Sequence, residues 1–434
     1  MDREPKQTPR RKLILALDGV PWQAIDESRR SGRFQVFHAP GRVISPFPTM
    51  TNIGMGALLG TRKTLGYENL YFDRARGRMC GGAMKYVQLR KRDPERRGYN
   101  HLLDYEEPMQ FEFLVYVAPE RIFSSDLSRL IDRFARSDAP VFYGFLKSTD
   151  GLIHVGGREA LLPALERLDA ALGELYETAE GRFEIVVYSD HGNALVPFKR
   201  VPLKTHLARH GFEPSGRIKS RRSVIIPGFG LVSYAPIYAS PERRQEIAEA
   251  LASLAGVDFS AFRNEDDGVT ELISPRGHAR LHHDSQANAF RYEQVFGDPL
   301  GLGPIVELLQ SEGSIDSRGY GSDAAWFDAT KDHRYPDALS NIWRSVREHV
   351  ESTADVLVSF EDGYCYGNAI FDRIITLRAT HGSALQSTSY AFLMSTNREV
   401  PAHLRADQAR PLIRPHLSQR LQSPVEVRMP NAVG

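Results

Sequence analysis

Short apolar runs of strand length alternate along this chain with longer stretches whose apolar residues recur at helical spacing. Residues 13–17 lead into a helix-like 21–30. Residues 113–118 are followed by 120–137, 141–146 by 158–180, and 183–189 then closes the series. This alternation predicts βα units: an α/β fold with a mostly parallel central sheet flanked by helices. The runs 13–17, 141–146 and 185–188 are apolar almost throughout, as strands covered on both faces are. In such sheets functional groups gather outside the carboxyl ends of the strands. Asp18, Asp150 and Asp190 stand at or just past three such ends, so they are expected to converge.

From about 200 to 330 the pattern changes. Basic patches at 200–204 and 217–222 precede a helix-like 241–255 and strand-like runs at 257–262 and 268–273, which together read as a smaller α+β insertion or cap. Strand-like runs return at 354–360, 374–377 and 390–394. The expected organisation is a flexible tail at 1–11, the first part of a catalytic core at 12–199, the insertion at 200–330 and the remainder of the core at 331–434.

Of the 434 residues 41% are hydrophobic and 25% charged, enough for a sizeable core. Lys and Arg number 55 against 54 Asp and Glu, a net +1 that gives no bulk attraction to nucleic acid or an anionic membrane. The short basic run at 217–222 reads as a solvated face. Two cysteines, Cys80 and Cys365, make neither a disulfide framework nor a thiolate cluster, so any metal must rest on histidine and carboxylate. Basic residues before 13–17 resemble the start of a signal peptide. That run is short and ends in Asp18, so it is read as a core strand, and the expectation is a cytoplasmic enzyme without a membrane span.

Four elements carry candidate metal chemistry. In Ser148-Thr149-Asp150-Gly151-Leu152-Ile153-His154, an acid and an imidazole four apart share one helical face; an Asp capping the helix is the plain alternative. In Ser189-Asp190-His191-Gly192, a strand runs into adjacent acid and imidazole, and the glycine permits a sharp turn. Asp18 ends the first strand, and His381 lies beside Gly382 after an apolar run. Three carboxylates and three imidazoles are suitable ligands for Zn²⁺, with Mn²⁺ as the alternative. Thr51 precedes a small-residue helix-like run, where backbone N–H groups and the helix dipole favour an anion. It is a candidate nucleophile, although Thr49 or Thr51 could equally be a cap.

The ordered set Leu17-Asp18-Gly19-Val20, Pro48-Thr49-Met50-Thr51-Asn52, Gly66-Tyr67-Glu68-Asn69, 148–154, 189–192 and Thr380-His381-Gly382 resembles the alkaline phosphatase superfamily, especially its nucleotide pyrophosphatase/phosphodiesterase and phosphonoacetate hydrolase branches. The resemblance implies a two-zinc hydrolase of small phosphate esters or phosphonates. Asp150, His154 and His381 would hold one ion, and Asp18, Asp190, His191 and Thr51 the other. Thr51 would be the nucleophile, with Asn69 and the Asn52 backbone N–H on a phosphoryl oxygen. The Asn52-Ile53-Gly54-Met55 stretch departs from the aromatic and Pro-Asn-His run usual in the phosphodiesterase branch, so substrate specificity does not carry over. Phosphodiester or pyrophosphate cleavage is the leading expectation, phosphomonoester or carbon–phosphorus hydrolysis the alternative, and an inactive binding module on the same fold a third reading.

Overall fold

The computed structural model describes residues 11–82, 98–178, 183–264, 268–368 and 376–414. Its central sheet has seven strands in the spatial order His403–Arg405, Gly41–Ile44, Tyr390–Ser395, Phe183–Ser189, Arg11–Leu17, Val141–Leu146 and Tyr105–Glu106. All neighbours are parallel except around Tyr390–Ser395, which runs against both of its partners. Side chains of the Arg11–Leu17 strand divide by period two. Leu13, Leu15 and Leu17 enter the core under the helices Pro119–Ala135 and Ser148–Thr178, and Ile14 and Ala16 the core under Thr51–Leu59 and Ala406–Ile413. That two-sided burial is why the run carries no polar alternation.

The register aligns the strand ends. Leu17 stands opposite Ser189 on one side and Leu146 on the other, so the residues that follow all three strands emerge on one rim. Ser148–Thr178 is broken at Gly157 (φ 57°, ψ −150°), which separates a first short helical segment from the long 158–178 helix.

Residues 113–118 are not the strand that their composition suggests. Phe111–Leu114 is a short helix followed by turns, and Phe113 and Val117 are exposed, so no sheet face receives them. The edge strand is the two-residue Tyr105–Glu106 instead. Of 374–377, residues 374 and 375 lie outside the described residues, and Thr376 and Leu377 are irregular.

A second seven-stranded sheet, antiparallel throughout, takes the order Tyr234–Ile237, Val356–Phe360, Val257–Arg263, Thr270–Ser274, Gly277–Asp284, Ala289–Gly297 and Gly321–Ser322. Val356–Phe360 lies between two strands from the 200–330 region. One face of this sheet packs with Phe47, Ile53 and Leu385, next to the rim of the first sheet. No helix among the described residues is long and apolar enough to cross a membrane.

Glu68, in the bend before Leu70–Asp73, reaches across to the backbone just before Leu231–Val232. Its Oε1 accepts from the Gly230 N–H at 2.9 Å, and burial lifts its pKa from 4.5 to about 7 against the pull of the Gly230 and Phe229 N–H groups. The folded protein holds this proton more tightly than the unfolded chain. The stability it contributes is therefore complete below about pH 4.5 and lost as pH rises through about 7. Glu68→Gln keeps the acceptor and has no charge to bury. At pH 8 it should be more stable than the wild type by roughly 2–3 kcal/mol, most of which vanishes at pH 5; denaturant midpoints at the two pH values measure it.

Candidate functional site

Three parallel strands deliver the acids. Asp18 directly follows Arg11–Leu17, and Asp190 directly follows Phe183–Ser189; both are buried. Asp150 sits in the first turn after Val141–Leu146, and the turn is bolted down by Thr149, whose Oγ1 donates within reach of the Asp18 (2.7 Å) and Leu146 (2.8 Å) carbonyls. The four-residue spacing works as a helix predicts: His154 Nε2 stands 2.9 Å from Asp150 Oδ2. His381 comes from the loop before Tyr390–Ser395. Its neighbour Thr380 makes an isolated bridge to Ala194, just past His191. Ser233, in the link between Leu231–Val232 and Tyr234–Ile237, supports this loop from behind, its N–H donating to the His381 carbonyl at 2.7 Å.

The six residues form two trios: Asp150 with His154 and His381, and Asp18 with Asp190 and His191. Within each, one potential ligand atom per residue lies within 4.8 Å of the others, so each could hold a metal ion. The trios adjoin, for the His191 and His381 rings stack with centroids 4.0 Å apart.

Thr51 is the first residue of the Thr51–Leu59 helix, and Met50 occupies the cap position without a side-chain hydrogen bond. The Thr51 hydroxyl therefore does not cap the helix. It donates to Asp18 Oδ1 at 3.1 Å and lies 3.3 Å from His191 Nε2. The first N–H groups of a helix have no partner within it, so they are available to an anion. Thr49 is structural: fully buried, its Oγ1 accepts from the Gly382 N–H at 2.8 Å. Asn52 follows in the same helix turn, its Oδ1 accepting from the Tyr99 hydroxyl. Asn69 is half-buried in the bend before Leu70–Asp73, and its carbonyl accepts from the Gly82 N–H at 3.0 Å.

The electrostatics of this rim call for a cation. Burial, then Asp190 and Asp150, push Asp18 well above its ordinary value. Burial raises Asp190 to about 7, opposed by the Gly19 N–H and reinforced by Asp150. Burial also acts to raise Asp150, but the imidazoles of His154, His381 and His191 outweigh it and hold that carboxyl low. His154 is raised, since the pull of Asp150 overcomes burial, whereas burial takes His191 down to about 4 and His381 to about 3. Lys147, the cation that bears on Asp18, is itself paired with Glu112 and Glu106.

The imidazole hydrogen bonds point the same way. Each Nδ1 faces a backbone carbonyl: Ala379 for His154 at 2.7 Å, Gly192 for His191 at 3.0 Å and Thr49 for His381 at 2.6 Å. A carbonyl only accepts, so Nδ1 carries the proton and Nε2 of the neutral ring offers a lone pair. His191 Nε2 thus faces Asp190 Oδ2 at 3.3 Å and Asp18 Oδ1 at 3.6 Å, acceptor against acceptor. Asp190 Oδ2 is buried with no hydrogen-bond partner. A divalent cation among these atoms would satisfy all of them, and the donor set fits one.

Sequence reasoning missed Asn193, next after Ser189-Asp190-His191-Gly192. It is buried, and its Nδ2 donates to the Gly19 carbonyl at 2.8 Å and to Asp150 Oδ1 at 3.2 Å. Its place two residues after the acid–imidazole pair was the signal. Its partners are visible only in the fold.

The profile of the type I phosphodiesterase / nucleotide pyrophosphatase family matches residues 70–354. That span contains Asp150, His154, Asp190 and His191; Asp18, Thr51 and His381 join them through the fold. Among solved structures, phosphonoacetate hydrolase from Sinorhizobium meliloti in complex with phosphonoformate aligns over 93% of this chain and 95% of its own at 13% identity, with a TM-score of 0.50. Murine ectonucleotide pyrophosphatase / phosphodiesterase 5 aligns over 93% and 94% at 11% identity, with a TM-score of 0.48. At 13% identity the likeness to the phosphonoacetate hydrolase is one of fold. No curated protein sequence matches the chain.

Gly54 shows how closely the nucleophile-candidate helix approaches the metal-binding rim. A Cβ there would meet the Asp190 carbonyl oxygen at 2.5 Å. Alanine gains up to about 1 kcal/mol over glycine in a helix, but overpacking against backbone costs about 1–3 kcal/mol. Gly54→Ala should therefore lower the denaturant midpoint instead of raising it, and weaken metal binding at the Asp18–Asp190–His191 trio, as read by titration of the metal-free protein.

Proposed function

The chain belongs to the type I phosphodiesterase / nucleotide pyrophosphatase family and is a hydrolase of phosphoric esters, and from that premise we propose that it cleaves small phosphodiesters or pyrophosphates through a phospho-threonine intermediate at Thr51. The carrying observation is the Thr51 hydroxyl, at a helix start and within 3.1–3.3 Å of Asp18 and His191, beside two acid–imidazole trios.

Asp150, His154 and His381 would hold one ion, and Asp18, Asp190 and His191, with Thr51 Oγ1, would hold the other. Zn²⁺ suits this mixed histidine and carboxylate set, with Mn²⁺ the alternative. Such ions supply Lewis acidity to the phosphoryl oxygens and lower the pKa of a bound hydroxyl. The chain's own groups do the rest. The Thr51 hydroxyl, oriented by Asp18, gives up its proton to solvent as its oxygen attacks phosphorus, and the P–O bond to the leaving group breaks in line with it, the departing oxygen keeping the bond electrons. The backbone N–H of Asn52 and the Asn69 amide would donate to the phosphoryl oxygen that gains charge. Water then attacks the phosphothreonine, the P–Oγ bond breaks, and Thr51 regains its proton. A cytoplasmic setting belongs to the same proposal, supported by two buried cysteines that are both free thiols.

Thr51→Ala and Thr51→Val should fold normally and lose hydrolysis by several orders of magnitude, because the attacking oxygen is gone. Thr49→Ala should instead cost about 1 kcal/mol of stability, for its hydrogen bond to Gly382, with far less effect on rate. Chelation should abolish activity and Zn²⁺ or Mn²⁺ restore it. Full activity of the metal-stripped protein, or an active Thr51→Ala beside an inactive Thr49→Ala, would overturn the assignment.

Substrate preference tests Asn69. A neutral amide binds a phosphoryl oxygen without requiring the second charge of a monoester. An aryl phosphodiester should be turned over with higher kcat/KM than the matching monoester, and Asn69→Ala should lower that value roughly a hundredfold. A monoester preference that survives Asn69→Ala would transfer the recognition to Arg62 or Lys63, which are exposed just beyond the Thr51–Leu59 helix.

A further inference from the structure

A chain of three hydrogen bonds runs from one trio to the other. The Gly19 N–H donates to Asp190 Oδ1 at 3.0 Å; the Gly19 carbonyl accepts from Asn193 Nδ2 at 2.8 Å; the same Nδ2 donates to Asp150 Oδ1 at 3.2 Å. An amide nitrogen has two hydrogens, and here each serves one side of the site. The opposite orientation of the amide would set Asn193 Oδ1 against two acceptors, the Gly19 carbonyl and a carboxylate, so the side chain has one workable setting. Asn193 Oδ1 is indeed buried without a partner, the cost of placing the donor where it is.

Gly19 is locked into the same arrangement. Its φ of +69° suits glycine and a Cβ would meet Asn193 Nδ2 at 2.4 Å and Asp150 Oδ1 at 2.7 Å. No side chain can stand between the first strand's end and the amide. Asp150 Oδ1 is also the oxygen that faces His381 Nε2, at 3.8 Å, while Oδ2 faces His154. Asn193 on Oδ1 and His154 on Oδ2 therefore together set how the Asp150 carboxylate is turned, and Asn193 does so from the backbone that carries Asp18.

Resting on the two-ion reading above, we infer that Asn193 is a positioning residue that couples the two metal sites. An ion among Asp18, Asp190 and His191 fixes Asp190 and Gly19, and through the Asn193 amide it presents Asp150 ready-turned to the second ion. Coupling of this kind is reciprocal: an ion at either trio raises the affinity of the other. It offsets the mutual repulsion of two neighbouring cations, which by itself would make the second ion bind more weakly. Partners that orient a metal ligand in this way are worth about 10–100-fold in affinity when removed.

The test titrates metal-free protein with Zn²⁺ against a chromophoric chelator. In the wild type both ions should enter over one narrow range of free zinc. In Asn193→Ala one site should stay within about threefold while the other weakens roughly 10–100-fold, splitting the isotherm into two phases. Asn193→Asp keeps the shape but turns an acceptor toward Asp150 and should split it further. Circular dichroism and thermal unfolding of the metal-free variants exclude a folding defect, and Asn193→Ser, which is smaller but can donate, serves if either variant fails to fold; it should fall between wild type and Asn193→Ala. An unsplit two-ion isotherm in the folded variants would overturn the coupling and leave the two-ion site standing. Fewer than two ions bound per wild-type chain would overturn both.

Discussion

Three carboxylates brought to one buried rim repel one another, and the strand register leaves them no way apart. Leu17 is paired at once with Ser189 and Leu146, so whatever follows these strands emerges together. Taking such charges out of water costs several kcal/mol each unless an opposite charge meets them. Much else in the neighbourhood follows from this constraint. Imidazoles are held with their Nδ1 protons committed to backbone carbonyls, and the nearest lysine is bound to other acids. The rim is thereby left short of positive charge at Asp18 and Asp190, whose carboxyls are both raised.

The segment 230–233, which leads into the second sheet, matters through what it does for one loop. His381 comes from a stretch without regular structure, which by itself would not be held to fractions of an ångström. The Ser233 N–H on the His381 carbonyl, the Ser233 hydroxyl on the Ser383 N–H and the Thr380 hydroxyl on the Leu231 carbonyl fix it from behind. Glu68, adjoining Asn69, reaches the same backing segment at Gly230. The part of the chain that reads least like a catalytic core thus supports one of its ligand-bearing loops.

Much of this was legible in the sequence because burial on both faces writes itself as unbroken apolar runs. The runs 13–17, 141–146 and 183–189 are strands, and the acids past their ends converge as expected. Thr51 does begin a helix. What failed was local: 113–118 has strand-like composition, yet Phe113 and Val117 stay in solvent within a helix and turn. Partner choice was also out of reach. Nothing in the run Val356–Phe360 says that it will separate Tyr234–Ile237 from Val257–Arg263, since pairing across so long a stretch of chain depends on the whole fold. Asn193 was hidden for the same reason: an asparagine after a glycine is ordinary turn chemistry until Gly19 and Asp150 are seen on either side of it.

Gly157 separates the ligand-bearing turn from the long helix that follows it. Helical residues 158–178 form a rod about 30 Å long, and a rod of that length is a lever: small tilts where its far end meets solvent become displacements at whatever is rigidly joined to it. The Gly157 backbone at φ 57° and ψ −150° breaks the helix axis. That conformation is open to glycine almost alone. Asp150 and His154 therefore take their orientation from the sheet, through Thr149, and from the Ala379 carbonyl. The long helix, packed into the core through Leu161, Leu165, Leu168 and Leu172, is thus not continuous with the turn that carries the two ligands.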